Sequence, residues 1–184
     1  MASVLIPLAD GFEELEAVTL IDLLRRAGIS VTTANLNQQH SLTASRQVKL
    51  VADSLLDEVL EQDFDMLLMP GGQPGTNKLD ADERIHALIN RQQQADKYLA
   101  AICAAPMVLA SSGVLDGKRA TSYPGALDPQ KWPDIDICDD PIVIDGKILT
   151  SRGPGTAMDF ALTIIELLSD KSTRDQVETS LVRA

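Results

Sequence analysis

Apolar positions along this chain fall into two spacings. Short runs of adjacent apolar residues, as in strands buried on both faces, alternate with stretches where apolar residues recur every three or four positions, as in helices. Ser3–Ala9 is the first run, bounded by Asp10-Gly11. Glu13–Ala27 follows with Leu15, Val18, Ile21 and Leu24 at helical spacing, acids in its first turn, Arg25 and Arg26 in its last, and Gly28 as the stop. Ile29–Leu36 reads as a strand and Asn37–Gln47 as a polar loop or short hairpin. Phe64–Met69, ended by Pro70-Gly71-Gly72, predicts a strand buried on both faces. Asp82–Gln94 predicts a helix, Tyr98–Ile102 a buried strand, and Ala104–Ser111 a helix that follows it without a linker. Asp145-Gly146, between the apolar runs of Ile142–Leu149, marks a hairpin. Gly155–Leu168 is an amphipathic helix, and Thr173–Val182 a last helix with Ser172 as its N-cap.

Strand–helix alternation with buried strands predicts an α/β fold with a mostly parallel sheet. Residues 1–184 read as one domain, because no repeat, low-complexity tract or linker divides them. Ligands of such sheets bind beyond the carboxyl ends of the strands. That rule selects three segments: Asp10–Glu16, Pro70–Gly75 and Cys103–Pro106.

Composition narrows the function classes. Sixteen Lys+Arg against 27 Asp+Glu leave a net charge of −11, which argues against a nucleic-acid partner or an anionic membrane surface. Aromatics are 3% of the chain, too few for stacking platforms, so Leu, Ile, Val and Ala must build the core. The N-terminus has no basic n-region, and no apolar run approaches the roughly 18 residues that span a bilayer. Two cysteines outside any CxxC pair exclude a disulfide framework. The expectation is a cytoplasmic protein whose thiols stay reduced.

Chemistry concentrates at Cys103, where a strand turns directly into a helix. Such a junction forces an elbow like that of hydrolase nucleophiles, and the small neighbours Ala101, Ala104 and Ala105 allow it. A helix starting at Ala104 would aim its free N–H groups at the sulfur and favour thiolate. The plainer alternative is a buried structural cysteine. His40, in a polar loop, and His86, in mid-helix, are not placed to serve it. The acidic cluster Glu13, Glu14 and Glu16 is the better source of a proton partner, although helix N-terminal electrostatics would explain any one of them. Glu16, beside Leu15 and Ala17, is the inward candidate, and a carboxyl in a poorly solvated pocket stays protonated and can donate to a thiolate. Gly71-Gly72 is either a turn or a pair of N–H donors for an oxyanion. The spacing of a phosphate loop is not met at Gly71–Lys78, and two distant histidines and two distant cysteines provide no metal-ligand spacing. Cys138 lies among acids and reads as inert.

Four segments carry a resemblance together: GFEELE at 11–16, MPGG at 69–72, AAICAAP at 100–106 and TSRGPGT at 150–156. The chain resembles the ThiJ/PfpI family, in the branch that holds the Parkinsonism-associated protein deglycase and its bacterial relatives. This likeness covers essentially the whole chain. It implies a flavodoxin-like three-layer α/β sandwich of the class I glutamine amidotransferase type, and a homodimer. It also implies that Cys103 is a nucleophilic, redox-sensitive thiol and Glu16 its protonated partner. Gly71 and Gly72 would line the pocket, with the Ala104 amide facing it. Arg46 matches an arginine near both the dimer interface and the active site, with a solvated loop arginine as the alternative. Tyr123 stands where some close relatives carry His, which leaves Glu16 as the acid/base, and Pro154 belongs to the same pocket segment. Ala104 replaces the His that follows the nucleophile in protease-like members, which speaks against peptidase activity.

Two readings follow. In one, the chain is a cofactor-free glyoxalase or deglycase acting on methylglyoxal, glyoxal or their early glycation adducts, with no metal. In the other it is a redox-sensing stress protein or chaperone that works through oxidation of the same cysteine.

Overall fold

The computed structural model describes residues 1–183. In chain order its elements are β1 (Ser3–Leu8), α1 (Glu14–Arg26), β2 (Ser30–Asn35), β3 (Ser41–Thr43), β4 (Lys49–Val51), β5 (Ser54–Leu55) and α2 (Leu56–Val59). Next come β6 (Met66–Met69), α3 (Gln73–Asp80), α4 (Glu83–Gln94), β7 (Tyr98–Ile102), α5 (Pro106–Ser111), β8 (Arg119–Ala120) and β9 (Asp136–Ile137). The chain ends with β10 (Ile142–Asp145), β11 (Ile148–Ser151), a 3₁₀ turn at Pro154–Thr156, α6 (Ala157–Leu168) and α7 (Lys171–Ser180).

Seven strands form one sheet in the order β10-β11-β7-β6-β1-β2-β5. Every pair is parallel except β10–β11, which closes one edge as an antiparallel hairpin. Strand side chains alternate between two cores, as the two-residue pleat requires. Val4, Ile6, Met66, Leu68, Ala100 and Ile102 pack on one face under α1, α6 and α7. Leu5, Leu67, Met69, Leu99 and Ala101 pack on the other, under α2 to α5. Helices on both faces of a mostly parallel sheet make the three-layer, flavodoxin-like α/β sandwich. The β-branched and leucine-rich runs are continuous because neither face of the central strands meets water.

Some local expectations need correction. Helix α5 starts at Pro106, two residues later than the pattern suggests, because Cys103–Ala105 form a turn. Proline fits a first helical turn, where its missing N–H has no intrahelical partner to lose. The last helix starts at Lys171, and its N-cap is Asp170, whose carboxylate accepts from the Thr173 amide at 2.7 Å. Ser172 therefore lies inside the helix. Of the two open possibilities for 37–47, the hairpin holds: β3 pairs antiparallel with β4. In the β10–β11 hairpin Asp145 pairs with Ile148, so the loop residues are Gly146 and Lys147, with Gly146 at φ 63°. Helix α3 and the short strands β8 and β9 lie in segments where the pattern gave no signal.

Candidate active site

At the carboxyl edge of β1, β6 and β7 the first turn of α1, with Glu16, meets the loops that hold Gly71-Gly72 and Cys103. The loop after β1 is fixed by backbone bonds: the Glu13 amide donates to Gly71 O at 2.8 Å, and the Phe12 amide to Ala9 O at 3.0 Å. Gly72, at φ 91°, touches this loop so closely that a Cβ would lie 2.5 Å from Glu13 N and Gly11 O. Packing the β1 and β6 loops together thus requires glycine there. Helix α1 then turns Glu16 inward until it is wholly buried.

The three acids, equivalent by spacing, separate here. Glu16 Oε2 accepts from the Gly71 amide at 2.7 Å, while Oε1 has no hydrogen-bond partner. Burial is the main cause that raises the Glu16 carboxyl from 4.5 to about 7, against the opposing bond from Gly71. Glu14 clamps the β3–β4 hairpin, accepting from the Arg46 amide at 2.8 Å and the Ser45 hydroxyl at 2.9 Å. Burial opposes its charge, but these bonds outweigh it and hold Glu14 below the ordinary carboxylate range. Glu13 faces the cleft, with its Oε2 3.0 Å from Ser45 Oγ.

Cys103 sits at φ 65°, a left-handed conformation that side-chain-bearing residues rarely adopt. Both of its backbone groups are tied down: its amide donates to Ser151 O at 2.9 Å, and its carbonyl accepts from the Tyr123 amide at 2.7 Å. The strain is held by β11 on one side and the Tyr123 loop on the other, and it exposes the sulfur at the strand end. The backbone amides of Gly72 and Ala104 act on it to lower its pKa. Gly71 has a different duty from the one its sequence suggests, since its amide goes to Glu16 and not into the cleft. It leaves no room for a side chain: a Cβ there would lie 2.7 Å from Cys103 Cβ and 2.9 Å from Glu16 Oε2.

A thiolate favoured by the helix end is not what this geometry provides. Burial, then the charge of Glu16 and its hydrogen bond, push the Cys103 thiol up to about 12, and the two amides only partly offset this. The six-residue α5, which starts three residues past the sulfur, is too short and too distant to reverse that balance. The two groups act as one titrating pair. Below about 7 it holds two protons, and between about 7 and about 12 it holds one, which rests on the sulfur and can pass to Glu16. When that proton sits on Glu16 the partner is a thiolate facing two amides.

The sulfur opens into a cleft of about 410 Å³ lined by Arg46, Gln73, Pro74, Ala104, Tyr123 and Pro154 among others. Arg46 and Tyr123 are exposed, and Arg46 makes no ion pair among the described residues. Ser45, Gln73 and Pro74 were not singled out by sequence, since their role depends on how the hairpin and α3 fold over Cys103. A larger hollow beside α7, about 620 Å³, is lined by exposed side chains such as Lys171 and Asp175 and holds no nucleophile. His40 bonds the Ala52 carbonyl and His86 the Asp80 carbonyl, so neither ring enters the cleft. Among the described residues no group of three His, Cys, Asp or Glu side chains is arranged to hold a metal ion. Cys138 lies elsewhere, its Sγ 3.6 Å from Ala120 O.

Comparison with known proteins agrees with this architecture. The family model described as DJ-1/PfpI matches residues 2–167. The chain is 43% identical over 183 residues to protein dj-1beta of Drosophila melanogaster, covering 99% of this chain and 97% of that protein. The crystal structure of that Drosophila protein superposes with a TM-score of 0.94, covering 100% of this chain and 98% of that one. A Toxoplasma gondii DJ-1 structure titled as oxidized superposes at 0.93 with 34% identity, and each chain covers the other completely. A Caenorhabditis elegans relative named glutathione-independent glyoxalase DJR-1.2 is 34% identical over 167 residues, 91% of this chain and 88% of that protein. By its whole-chain match and its fold, this protein belongs to the DJ-1/PfpI family.

Proposed function

We propose that this protein is a cofactor-independent glyoxalase or deglycase that converts 2-oxoaldehydes such as methylglyoxal, free or as early adducts on amines and thiols, to 2-hydroxy acids. The observation that carries this reading is the wholly buried Glu16 coupled to Cys103, whose sulfur opens with Gly72 and Ala104 into the cleft. The name of the nematode relative supports the same chemistry.

The steps balance without an external oxidant. Cys103 thiolate attacks the aldehyde carbon, and Glu16 protonates the resulting alkoxide to a hemithioacetal. Glu16, now a carboxylate, removes the C1 proton to form an enediol, and protonation at C2 leaves a thioester of the 2-hydroxy acid. Water hydrolyses the thioester, which releases the hydroxy acid and regenerates the pair. Cys103 thus forms and breaks one C–S bond per cycle, and no electron leaves the substrate carbons as a group. Arg46 and Tyr123, which line the cleft with Glu13, Ser45 and Gln73, would orient the substrate oxygens.

Lactate formation from methylglyoxal, without added thiol or amine, tests this. Catalytic lactate from the wild type and none from Cys103→Ser is expected; no lactate from either contradicts it. A second reading has its own observation: two amides aimed at one sulfur also suit the oxygens of a Cys103 sulfinate, and a relative has been solved in a form titled as oxidized. Peroxide titration followed by intact mass separates the two, since a sensor gains two oxygens selectively at Cys103 and turns over no dicarbonyl.

We further propose a cytoplasmic homodimer. Leu15 and Val18 on α1, with Val48 and Val51 on the β3–β4 hairpin, are each about half exposed or more and would be covered by a second copy. Both cysteines are free thiols, as a reducing compartment would leave them, and among the described residues no helix is long and apolar enough to cross a membrane. A monomeric mass in light scattering at micromolar concentration would count against the dimer.

A further inference from the structure

His86 lies outside the cleft, at a point where three helices meet. From α4 it places Nδ1 2.7 Å from Ser112 Oγ and Nε2 2.7 Å from the Asp80 carbonyl oxygen. The Ser112 hydroxyl also lies 2.9 Å from Val108 O, so its one proton serves either that carbonyl or the ring. The Asp80 carbonyl can only accept. Nε2 therefore carries a proton towards that carbonyl, and Nδ1 and the Ser112 hydroxyl bond each other. The Asp80 carboxylate lies 3.8 Å from Nε2, and its Oδ1 is buried with no hydrogen-bond partner. Of the acids at the start of the ring's own helix, the N-cap Asp82 is held by Arg84 and Glu83 is exposed to solvent. Helix α5 presents no titratable side chain.

Asp80 is the last residue of α3, and Ser112 is the C-cap of α5. The other ends of these two helices carry the chemistry. Helix α3 starts directly after Gly72, and α5 starts two residues past Ala104. Gly72 and Ala104 line the same cleft as the Cys103 sulfur, and their backbone amides draw its thiol towards ionisation. The two helices also pack on each other. Short helices are stiff, so tying their far ends together fixes the spacing at their near ends.

We propose that His86 is a positioning residue for Cys103: by bridging the C-terminal ends of α3 and α5, it holds the Gly72 and Ala104 amides on the sulfur. Each amide favours the thiolate, so loosening the bridge weakens both effects and makes the thiol harder to ionise. The inference concerns the thiol itself and stands whether or not a dicarbonyl is the substrate.

The test is the rate of iodoacetamide alkylation of Cys103 against pH, resolved from Cys138 by peptide mass. His86→Gln and Ser112→Ala each move the inflection of the Cys103 profile upward by about half to one pH unit, which is roughly three- to tenfold in rate at a fixed pH below it. The double variant moves it no further than the larger single change, because both break one bridge. Ser112→Ala removes a single hydroxyl and decides the matter if His86→Gln folds poorly. Variants that melt earlier but leave the Cys103 profile where it was would overturn the proposal and make His86 a plain strut.

Discussion

Replacing Glu16 by Gln should remove a loss of stability that wild type suffers above neutral pH while cutting turnover. In the fold, burial raises the carboxyl from 4.5 to about 7. A carboxyl with a raised folded-state pKa supports the fold fully below its unfolded value and loses that support as pH rises through the folded value. The rise of 7 − 4.5 = 2.5, at about 1.4 kcal/mol each, means that wild type loses about 3 kcal/mol of stability between pH 4.5 and pH 8 through this group alone. Glutamine keeps an acceptor for the Gly71 amide but cannot ionise, so the variant escapes that loss. Its amide meets the same unpartnered surroundings as Oε1, which costs about 1–3 kcal/mol at every pH. The pH dependence isolates the effect from that constant cost. Urea unfolding at pH 5 and pH 8 should show the variant gaining on wild type by about 2–3 kcal/mol between the two. At the same time lactate production should fall by about 10²- to 10⁴-fold, the loss typical of a removed proton carrier. A variant whose stability tracks wild type equally at both pH values would refute the buried, perturbed Glu16. One that kept full turnover would refute its role as proton carrier.

Other consequences follow from the same geometry. Wild-type kcat/KM should rise with pH through about 7, as the pair drops from two protons to one, and this limb should vanish in Glu16→Gln. Gly71→Ala drives a methyl against Cys103 Cβ at 2.7 Å and Glu16 Oε2 at 2.9 Å, so activity should collapse together with a thermal destabilisation of about 2 kcal/mol or more. Asp170→Ala removes the cap of α7 and should cost about 1 kcal/mol in chemical denaturation while leaving turnover intact, because α7 lies on the layer of α1 and α6, away from the cleft.

The order of strands and helices was legible because β1, β6 and β7 must be apolar on both faces, and nothing but a helix-covered parallel sheet offers them two cores. Cys103 was legible for a related reason: a buried strand that ends in Cys-Ala-Ala-Pro has to turn sharply, and the φ of 65° is that turn. The choice of Glu16 over Glu13 and Glu14 was not, because it depends on the backbone bond from Glu13 to Gly71 that sets how α1 enters the sheet. Similarly, no sequence spacing shows that the Gly71 amide serves Glu16 while Gly72 and Ala104 serve the sulfur. The proton affinity of Cys103 went against its local signal, since burial and the Glu16 charge act through space and outweigh two amides. Arg46, Tyr123 and Pro154 came from resemblance alone. Their meeting at one cleft depends on the β3–β4 hairpin, the loop after β8 and the loop after β11 closing over the same strand end.

The central claim is that substrate carbon becomes bonded to Cys103 and is released by a cycle that needs Glu16. Acid-quenched single turnovers with methylglyoxal, read by intact and peptide mass, test it most directly. A Cys103-bound adduct that forms first and then decays at the rate of lactate release in wild type, and that accumulates without decay in Glu16→Gln, is the predicted result. Lactate produced with no adduct at Cys103, or produced equally by Cys103→Ser, would contradict the account.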